Sequence, residues 1–276
     1  MSAEEEARAL ERVLRYDAAF VPRFAQRFGR HLLDALDLGP KSSALDLACR
    51  TGYPSVDLLD RRDDLRVIAL DADAPHLELA RARAGAALGR RLFVKQGAAY
   101  PLSFGDGVFT HVFANLVDRL GLEREGVIRE AARVLEPRGQ LAFTLCLRGS
   151  FAEVLDLLRE VALARDLPGV TERVERYAAS LPDEDTLRAE LTRRGFDDVL
   201  VESWEFTLDH PSAESLFGDA AVEFAALAEW RWCAEGAPQP ESVLRALRHA
   251  IDTYYQGRTF SLTVVGGCVT ARRVVT

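Results

Sequence analysis

Short apolar runs alternate with amphipathic stretches along most of this sequence. Runs rich in Val, Ile, Leu and Phe predict buried strands, and apolar residues three and four positions apart predict helices between them. Strands that alternate with helices are typical of an α/β fold with a mainly parallel sheet. Seven strands follow from the pattern, the first three at 44–48, 66–70 and 92–96, a fourth that is completed by 111–114, a fifth at 140–147, a sixth that ends near 208 and a last one at 260–275.

Three helical regions lie outside this alternation. Residues 3–38 predict an N-terminal helical segment whose apolar positions continue beyond Pro22. Residues 150–180 carry a second apolar stripe of helical period, and a stretch rich in alanine, glutamate and aromatic residues separates the sixth strand from the last. The expected organisation is an N-terminal helical segment (1–40), an α/β core (41–208 and 258–276) and a helical insertion (209–257).

The first two strands enclose the most informative stretch, Ser43–Asp73. An apolar strand leads into the tight turn Cys49-Arg50-Thr51-Gly52, a helix begins near Pro54, and a second apolar strand ends at Asp71. Asp71 lies about 20 residues beyond the turn, where a carboxylate can accept both hydroxyls of a ribose. The pattern predicts the first half of a nucleotide-binding βαβ unit.

The run Leu45–Gly52 resembles the first motif of the class I S-adenosylmethionine-dependent methyltransferases, a hydrophobic strand followed by an acidic residue and three alternating glycines. Asp46 and Gly52 match that motif, whereas Ala48 and Arg50 stand at its first two glycine positions. Further matches to the family lie at 97–102, 104–109 and 129–141, so the resemblance spans about residues 40–208 and the last strand.

The resemblance implies a seven-stranded, mostly parallel Rossmann-like sheet with helices on both faces, and S-adenosylmethionine as cofactor. In such a protein Asp71 would hold the ribose, Ala72 would pack against the adenine, and Asp46 would support the turn. Ala98 stands where the family carries an aspartate that accepts a hydrogen bond from the adenine amino group. Asn115 would contact the methionine part of the cofactor or the substrate, unless it caps the following turn. The expected cofactor-binding set is Asp46, Ala48, Arg50, Gly52, Asp71, Ala72, Ala98, Ala99 and Asn115, and no catalytic base stands out.

The two altered glycine positions decide how the chemistry is interpreted. Glycine permits a tight turn and a close approach of the backbone to a ligand. Ala48 adds only a methyl group, but the side chain of Arg50 begins where the cofactor would contact the backbone, and it costs about 1–3 kcal/mol of strain if the position needs a positive φ. The Arg50 guanidinium can also pair with a carboxylate, including that of methionine.

Three interpretations of the chain therefore stay open. The first is an S-adenosylmethionine-dependent methyltransferase that acts on a small molecule. The second is a non-catalytic protein of the same fold, a pseudoenzyme that serves as a regulatory or scaffold partner. The third is an enzyme of this fold that binds a different ligand, with Arg50 recruited for an anionic group.

Two other positions have both a structural and a functional interpretation. Tyr16-Asp17 falls where relatives commonly carry a Tyr-Asp pair, and a packing helix is favoured there over a direct ligand contact. His111 lies inside the fourth strand, where a packed or hydrogen-bonded core residue is favoured over a base.

The composition argues against several classes of function. The chain has 276 residues and a net charge of −8, which argues against nucleic-acid binding because phosphate contacts need clustered positive charge. Its four cysteines lie far apart and form neither a zinc pattern nor a disulfide framework. No apolar run approaches the ~20 residues that cross a bilayer. We expect a cytoplasmic protein without a metal, whose insertion 209–257 either lines a small-molecule acceptor pocket or forms an interface with a second subunit or a protein partner.

Overall fold

The structure, a computed structural model, describes residues 3–119 and 121–275. Seven strands form one mixed sheet in the order β3-β2-β1-β4-β5-β7-β6, in which β7 is antiparallel. This topology confirms the predicted seven-stranded, mostly parallel sheet. The strands are β1 (Ser43–Leu47), β2 (Arg66–Asp71), β3 (Leu92–Gln96), β4 (Phe109–Ala114), β5 (Leu135–Cys146), β6 (Phe196–His210) and β7 (Phe260–Arg273).

The chain divides into two compact units. The first runs to Leu145 and also includes Glu184–Glu202 and the residues from Gly267 onward, whereas the second comprises Cys146–Asp183 and Ser203–Gly266. The helices of the first unit are α1 (Ala3–Arg15), α2 (Gln26–Ala35), α3 (Ser55–Leu58), α4 (Ala74–Ala84), α5 (Arg124–Val134) and α8 (Glu184–Arg193). Those of the second are α6 (Ala152–Ala164), α7 (Pro168–Ser180), α9 (Ala213–Gly218), α10 (Ala220–Val222), α11 (Ala228–Ala234) and α12 (Pro240–Tyr254).

β1 lies at the centre of the parallel part of the sheet, between β2 and β4. All of its residues after Ser43 are buried, as expected for a parallel strand whose two faces are both covered. The register pairs Ser43 with Arg66 and Leu47 with Leu70. Ala48, which follows β1, and Asp71, the last residue of β2, therefore lie at the same edge of the sheet.

The N-terminal segment is helical, as predicted, but its middle is not α-helical. Residues Tyr16–Ala25, between α1 and α2, form a π-helix that contains Pro22. Proline has no backbone N–H and its ring excludes the ordinary i to i−4 hydrogen bond, which favours a local departure from α-geometry. Phe20, Phe24 and Phe28 are fully buried and stack in sequence, with ring centroids 5.2 Å apart in each successive pair.

β5 begins at Leu135, whereas the sequence predicts a turn at 136–139 and a strand only from Gln140. Leu135 pairs with Phe109 across an irregularity in the register, and Arg138 has a left-handed φ of 65°. The turn expected from Pro137 and Gly139 is therefore accommodated as a distortion inside a longer strand.

Aromatic residues of the insertion 209–257 pack inside the second unit. Trp230 is fully buried, 6.3 Å from the ring of Phe151 and 6.1 Å from that of Phe217. The Arg173 guanidinium of α7 lies 5.1 Å from the ring of Trp232. These contacts fix the insertion against α6 and α7, and its role at a pocket or an interface stays a prediction.

Among the described residues, no helix has both the length and the apolar character required to cross a membrane.

Candidate functional site

The carboxyl ends of β1 and β2 border a cleft of about 250 Å³. Ligands of open α/β sheets bind beyond the carboxyl ends of the parallel strands, so this is the expected place for a functional site. Leu70, Asp73, Tyr100, Gly121 and Leu122 contribute to its walls. Six of the nine predicted site residues also line it, namely Ala48, Arg50, Asp71, Ala72, Ala98 and Ala99.

Asp71 is the anionic group at the centre of this edge. It is buried, and its two oxygens accept backbone hydrogen bonds, Oδ2 from the N–H of Arg50 and Oδ1 from the N–H of Asp73, each 2.9 Å long. A carboxylate oxygen can accept two hydrogen bonds, so each retains acceptor capacity. The carboxylate of Asp71 is thus held in one orientation by the two turns that follow β1 and β2.

The turn after β1 has a left-handed backbone at all three glycine positions of the motif. Gly52 has φ 96°, and a Cβ at this position would lie 3.2 Å from the Cα of Ala80, so glycine is required for both conformation and space. Ala48 and Arg50 have φ values of 63° and 50°. Each of these two residues stores strain of order 1–2 kcal/mol.

The side chain of Arg50 lies at the cleft that this residue helps to line. Its Nε lies 3.7 Å from Oδ2 of Asp71, and its side chain is 18% exposed. Since the same carboxylate oxygen already accepts the Arg50 N–H, Arg50 contacts Asp71 through both its backbone and its guanidinium group.

Asp46 is buried and is not among the residues that line the cleft. The Ser55 hydroxyl at the start of α3 donates to Asp46 Oδ2 at 2.6 Å, whereas Oδ1 is buried with no hydrogen-bond partner in the part of the chain that the structure describes. Burial raises the pKa of Asp46 to about 8 against the opposing hydrogen bond from Ser55, and the charge of Asp71 raises it further. This upward shift of the pKa favours the neutral form of Asp46, whose hydrogen bond with Ser55 connects β1 to α3.

Asn115, the last predicted site residue, is committed to protein contacts. Its side-chain amide donates to the carbonyl oxygen of Ala25 at 3.1 Å, and its side-chain oxygen accepts the Thr144 hydroxyl at 2.6 Å. The residue joins the end of β4 to the N-terminal segment and to β5. A contact between Asn115 and a ligand stays a prediction.

Arg83 of α4 connects the N-terminal segment to the turn, and the sequence contains no signal for it. Its guanidinium donates to the carboxylate of Asp17 and, at 3.2 Å, to both the carbonyl oxygen and the hydroxyl of Thr51. Beside it, burial raises the pKa of Tyr16, whose ring lies 5.2 Å from that of His76. Tyr16 and Asp17 therefore pack beside the cleft, as the structural interpretation of the sequence predicts.

His111 is also structural in this arrangement. Its Nε2–H donates to the carbonyl oxygen of Asp37 at 2.9 Å, and its Nδ1 lies 2.7 Å from the Thr110 hydroxyl. Burial lowers the pKa of His111, so the ring is neutral and both nitrogens are occupied. This confirms the preference for a hydrogen-bonded core residue over a base.

No group of His, Cys, Asp and Glu side chains suited to holding a metal ion occurs among residues 3–119 and 121–275.

The part of the chain that forms this cleft is similar to known proteins. A family profile described as "Methyltransferase domain" matches residues 44–139, a range that includes all nine predicted site residues. Demethylmenaquinone methyltransferase of Mycobacterium tuberculosis is 31% identical over 174 residues, which cover 60% of this chain and 70% of that protein.

Two solved structures share the fold. The YcgJ protein of Bacillus subtilis superposes with a TM-score of 0.58 at 12% identity, over 91% of this chain and all of that one. The [4+2]-cyclase SpnF superposes with a TM-score of 0.53 at 18% identity, over 91% of this chain and 81% of the other.

Proposed function

Because this chain belongs to the class I S-adenosylmethionine-dependent methyltransferase family, we propose that it binds S-adenosylmethionine in the cleft beyond β1 and β2 and transfers the methyl group to a small molecule. One observation carries the proposal: the oriented carboxylate of Asp71 lies at the end of β2, in the wall of that cleft. A buried, oriented carboxylate is the group that accepts the two hydroxyls of a ribose at this position of the fold.

The residues that line the cleft fit the nucleoside part of the cofactor. Ala48, Ala72, Ala98 and Ala99 give it small, apolar walls that a flat base can contact. Two features oppose the fit: the guanidinium of Arg50 lies beside Asp71, and the volume of about 250 Å³ is below the roughly 300–1,000 Å³ of typical ligand pockets. In this assignment, binding of the cofactor requires the Arg50 side chain to move away from Asp71.

The chemistry asks little of the protein beyond binding and alignment. The sulfonium of S-adenosylmethionine supplies an activated methyl group, so the protein binds the two reactants, orients them and excludes water. In this assignment Asp71 holds the ribose, and Gly52 allows the turn. Asp46 supports that turn through Ser55, and no residue is assigned as a base.

A small-molecule acceptor is supported by the name of the related demethylmenaquinone methyltransferase, which acts on a small molecule. We propose that the insertion 209–257 contributes to the acceptor pocket. If the protein is non-catalytic, the insertion would instead form an interface with a second subunit or a protein partner.

Calorimetric titration with S-adenosylmethionine and S-adenosylhomocysteine tests the assignment of Asp71. We expect Asp71→Asn to weaken binding about tenfold to a hundredfold, because it removes a charge-assisted hydrogen bond worth about 1.5–3 kcal/mol. Asp106→Asn is the matched control, since it neutralises an exposed carboxylate outside the cleft. Equal affinity of wild type and Asp71→Asn would contradict the assignment.

The second candidate is a protein of this fold that transfers no methyl group. The pairing of Arg50 with Asp71, together with the alanines at positions 48 and 98, favours it. The fold is compatible with other activities, since the similar solved structure is named a [4+2]-cyclase. Formation of S-adenosylhomocysteine during incubation with labelled cofactor and a panel of small acceptors separates the two candidates: turnover supports the first, and cofactor that stays intact supports the second.

A further inference from the structure

Arg50 and a bound ribose need the same acceptor. The Arg50 N–H occupies one lone pair of Asp71 Oδ2 at 2.9 Å, and the guanidinium Nε lies 3.7 Å from the same oxygen. A ribose hydroxyl would donate to the capacity that remains on this carboxylate. The guanidinium therefore lies beside Oδ2 as an ion-pair partner, at a distance longer than a hydrogen bond. A ribose hydroxyl at hydrogen-bond distance from this oxygen would take the place of the guanidinium.

The surrounding structure imposes the left-handed backbone conformation of Arg50, which arginine does not prefer by itself. A left-handed φ is unfavourable for arginine and persists only where the surrounding structure determines it. Here the N–H of Arg50 is bound to Asp71, and the next residue, Thr51, is bound by Arg83. The side chain accordingly starts inside the cleft wall.

The charge of Arg50 also changes the pKa of a neighbouring residue at this edge of the sheet. Burial lowers the pKa of His76, and the nearby positive charge of Arg50 lowers it further, against Asp73 and Asp71, which raise it. The Asp71 side chain is 4% exposed, so the Arg50–Asp71 pair is shielded from water more than a surface ion pair. Separating the two groups leaves a largely buried carboxylate that needs another donor.

We propose that Arg50 is an internal competitor for the nucleoside site: its guanidinium occupies the ribose-binding face of Asp71, and a ligand binds only by displacing it. This inference rests on the proposed function, since it assigns the ribose to Asp71. It makes Arg50 a residue that sets affinity and specificity. A ligand whose own anionic group can bind the displaced guanidinium is favoured over one without such a group.

Three variants of Arg50 separate charge from size. Arg50→Gln keeps most of the length and removes the charge, Arg50→Lys keeps the charge, and Arg50→Gly removes the side chain and the left-handed strain. Arg81→Gln is the control, because Arg81 lies on the neighbouring α4 and pairs with Glu78. The dissociation constants of S-adenosylhomocysteine and of adenosine, which has no carboxylate, are measured by calorimetry on the full chain, with the melting temperature of each variant as a check on folding.

We expect Arg50→Gln and Arg50→Gly to bind adenosine about tenfold more tightly than wild type, and Arg50→Lys and Arg81→Gln to bind it as wild type does. The gain for S-adenosylhomocysteine is smaller, because its carboxylate can use the displaced guanidinium.

Each alternative result has a defined meaning. If wild type binds and Arg50→Gln binds equally or more weakly, Arg50 does not compete with the ligand, and this inference is overturned while the proposed function stands. If no variant binds either ligand at millimolar concentration although all are folded, the nucleoside site itself is wrong and both proposals are overturned.

Discussion

Unusual residues occur at both ends of the central strands, but their hydrogen bonding and backbone strain differ between the two ends. Near the start of β4, where the family motif ends in aspartate, this chain has Thr110 followed by His111. The polar atoms of both side chains have hydrogen-bond partners. The Thr110 hydroxyl accepts the N–H of Ser43 at 2.9 Å and bonds to His111, whose other nitrogen donates to Asp37. At the opposite end, Ala48 and Arg50 are strained, and Asp46 Oδ1 is buried with no partner in the described chain.

This difference indicates which replacements are structural. A replaced residue that acquires a complete set of partners is part of the scaffold, because buried polar groups are stable only when hydrogen-bonded. Strain and an unmatched polar atom persist where the surrounding fold imposes them, and such features concentrate at functional sites. The contrast supports a functional interpretation of the edge that carries Asp46, Arg50 and Asp71, and it can be tested at both ends.

The largest effect is expected at the satisfied end. His111→Ala removes a buried ring with two hydrogen bonds and leaves the carbonyl oxygen of Asp37 without its donor. We expect a loss of about 2–4 kcal/mol in the free energy of unfolding, measured by urea denaturation. His249→Ala, at an exposed position of α12, is the control and should cost less than about 0.5 kcal/mol. A loss below about 1 kcal/mol for His111→Ala would show that the two ends do not differ as described.

Asp46 gives a pH-dependent test of the unsatisfied end. The folded protein keeps the Asp46 proton up to a pKa of about 8, whereas the unfolded chain loses it near pH 4. Between these values the unfolded state binds fewer protons, so the contribution of Asp46 to stability falls as the pH rises and levels off above pH 8. Asp46→Asn cannot ionise and should escape this loss.

We therefore expect Asp46→Asn to gain stability relative to wild type between about pH 5 and pH 8, by roughly 1–3 kcal/mol or a few degrees in melting temperature. Taking the difference between the two proteins cancels the titration of all other groups. Parallel melting curves across this range would mean that Asp46 is ionised in the folded protein and has a partner that the described contacts lack.

The smallest effect concerns backbone strain alone. Ala48→Gly relieves a left-handed residue and should stabilise the protein by up to about 1 kcal/mol, because relief of strain exceeds the entropic cost of glycine. Ala44→Gly, four residues earlier in β1, has no strain to relieve and should destabilise by about 1 kcal/mol or more. Equal losses in the two variants, seen by chemical denaturation, would show that Ala48 is not strained.

Sequence reasoning succeeded for the elements of the fold. Hydrophobic period identified the strands, and the spacing from the turn to Asp71 identified the cleft wall, because both depend on local pattern. It did not identify Arg83 or Leu122, which reach the turn or the cleft from segments whose local sequence carries no motif. It also gave no role to Tyr100, although that residue lies in the family-like stretch 97–102. It did not identify the protein contacts of Asn115, whose amide bonds to Ala25 and Thr144 at its two ends, and a contact of this residue with a ligand stays a prediction.

By itself, the sequence determined the order of strands and helices, the motif that places the chain in its family, and the three replacements at 48, 50 and 98. Only the tertiary structure decided what those replacements do. The parallel register of β1 and β2 brings Arg50 against Asp71, 21 residues away, and burial of the same edge favours the neutral form of Asp46. The reason is physical: composition and period are local, whereas an ion pair, a pKa and a strained φ depend on which distant groups share a buried space.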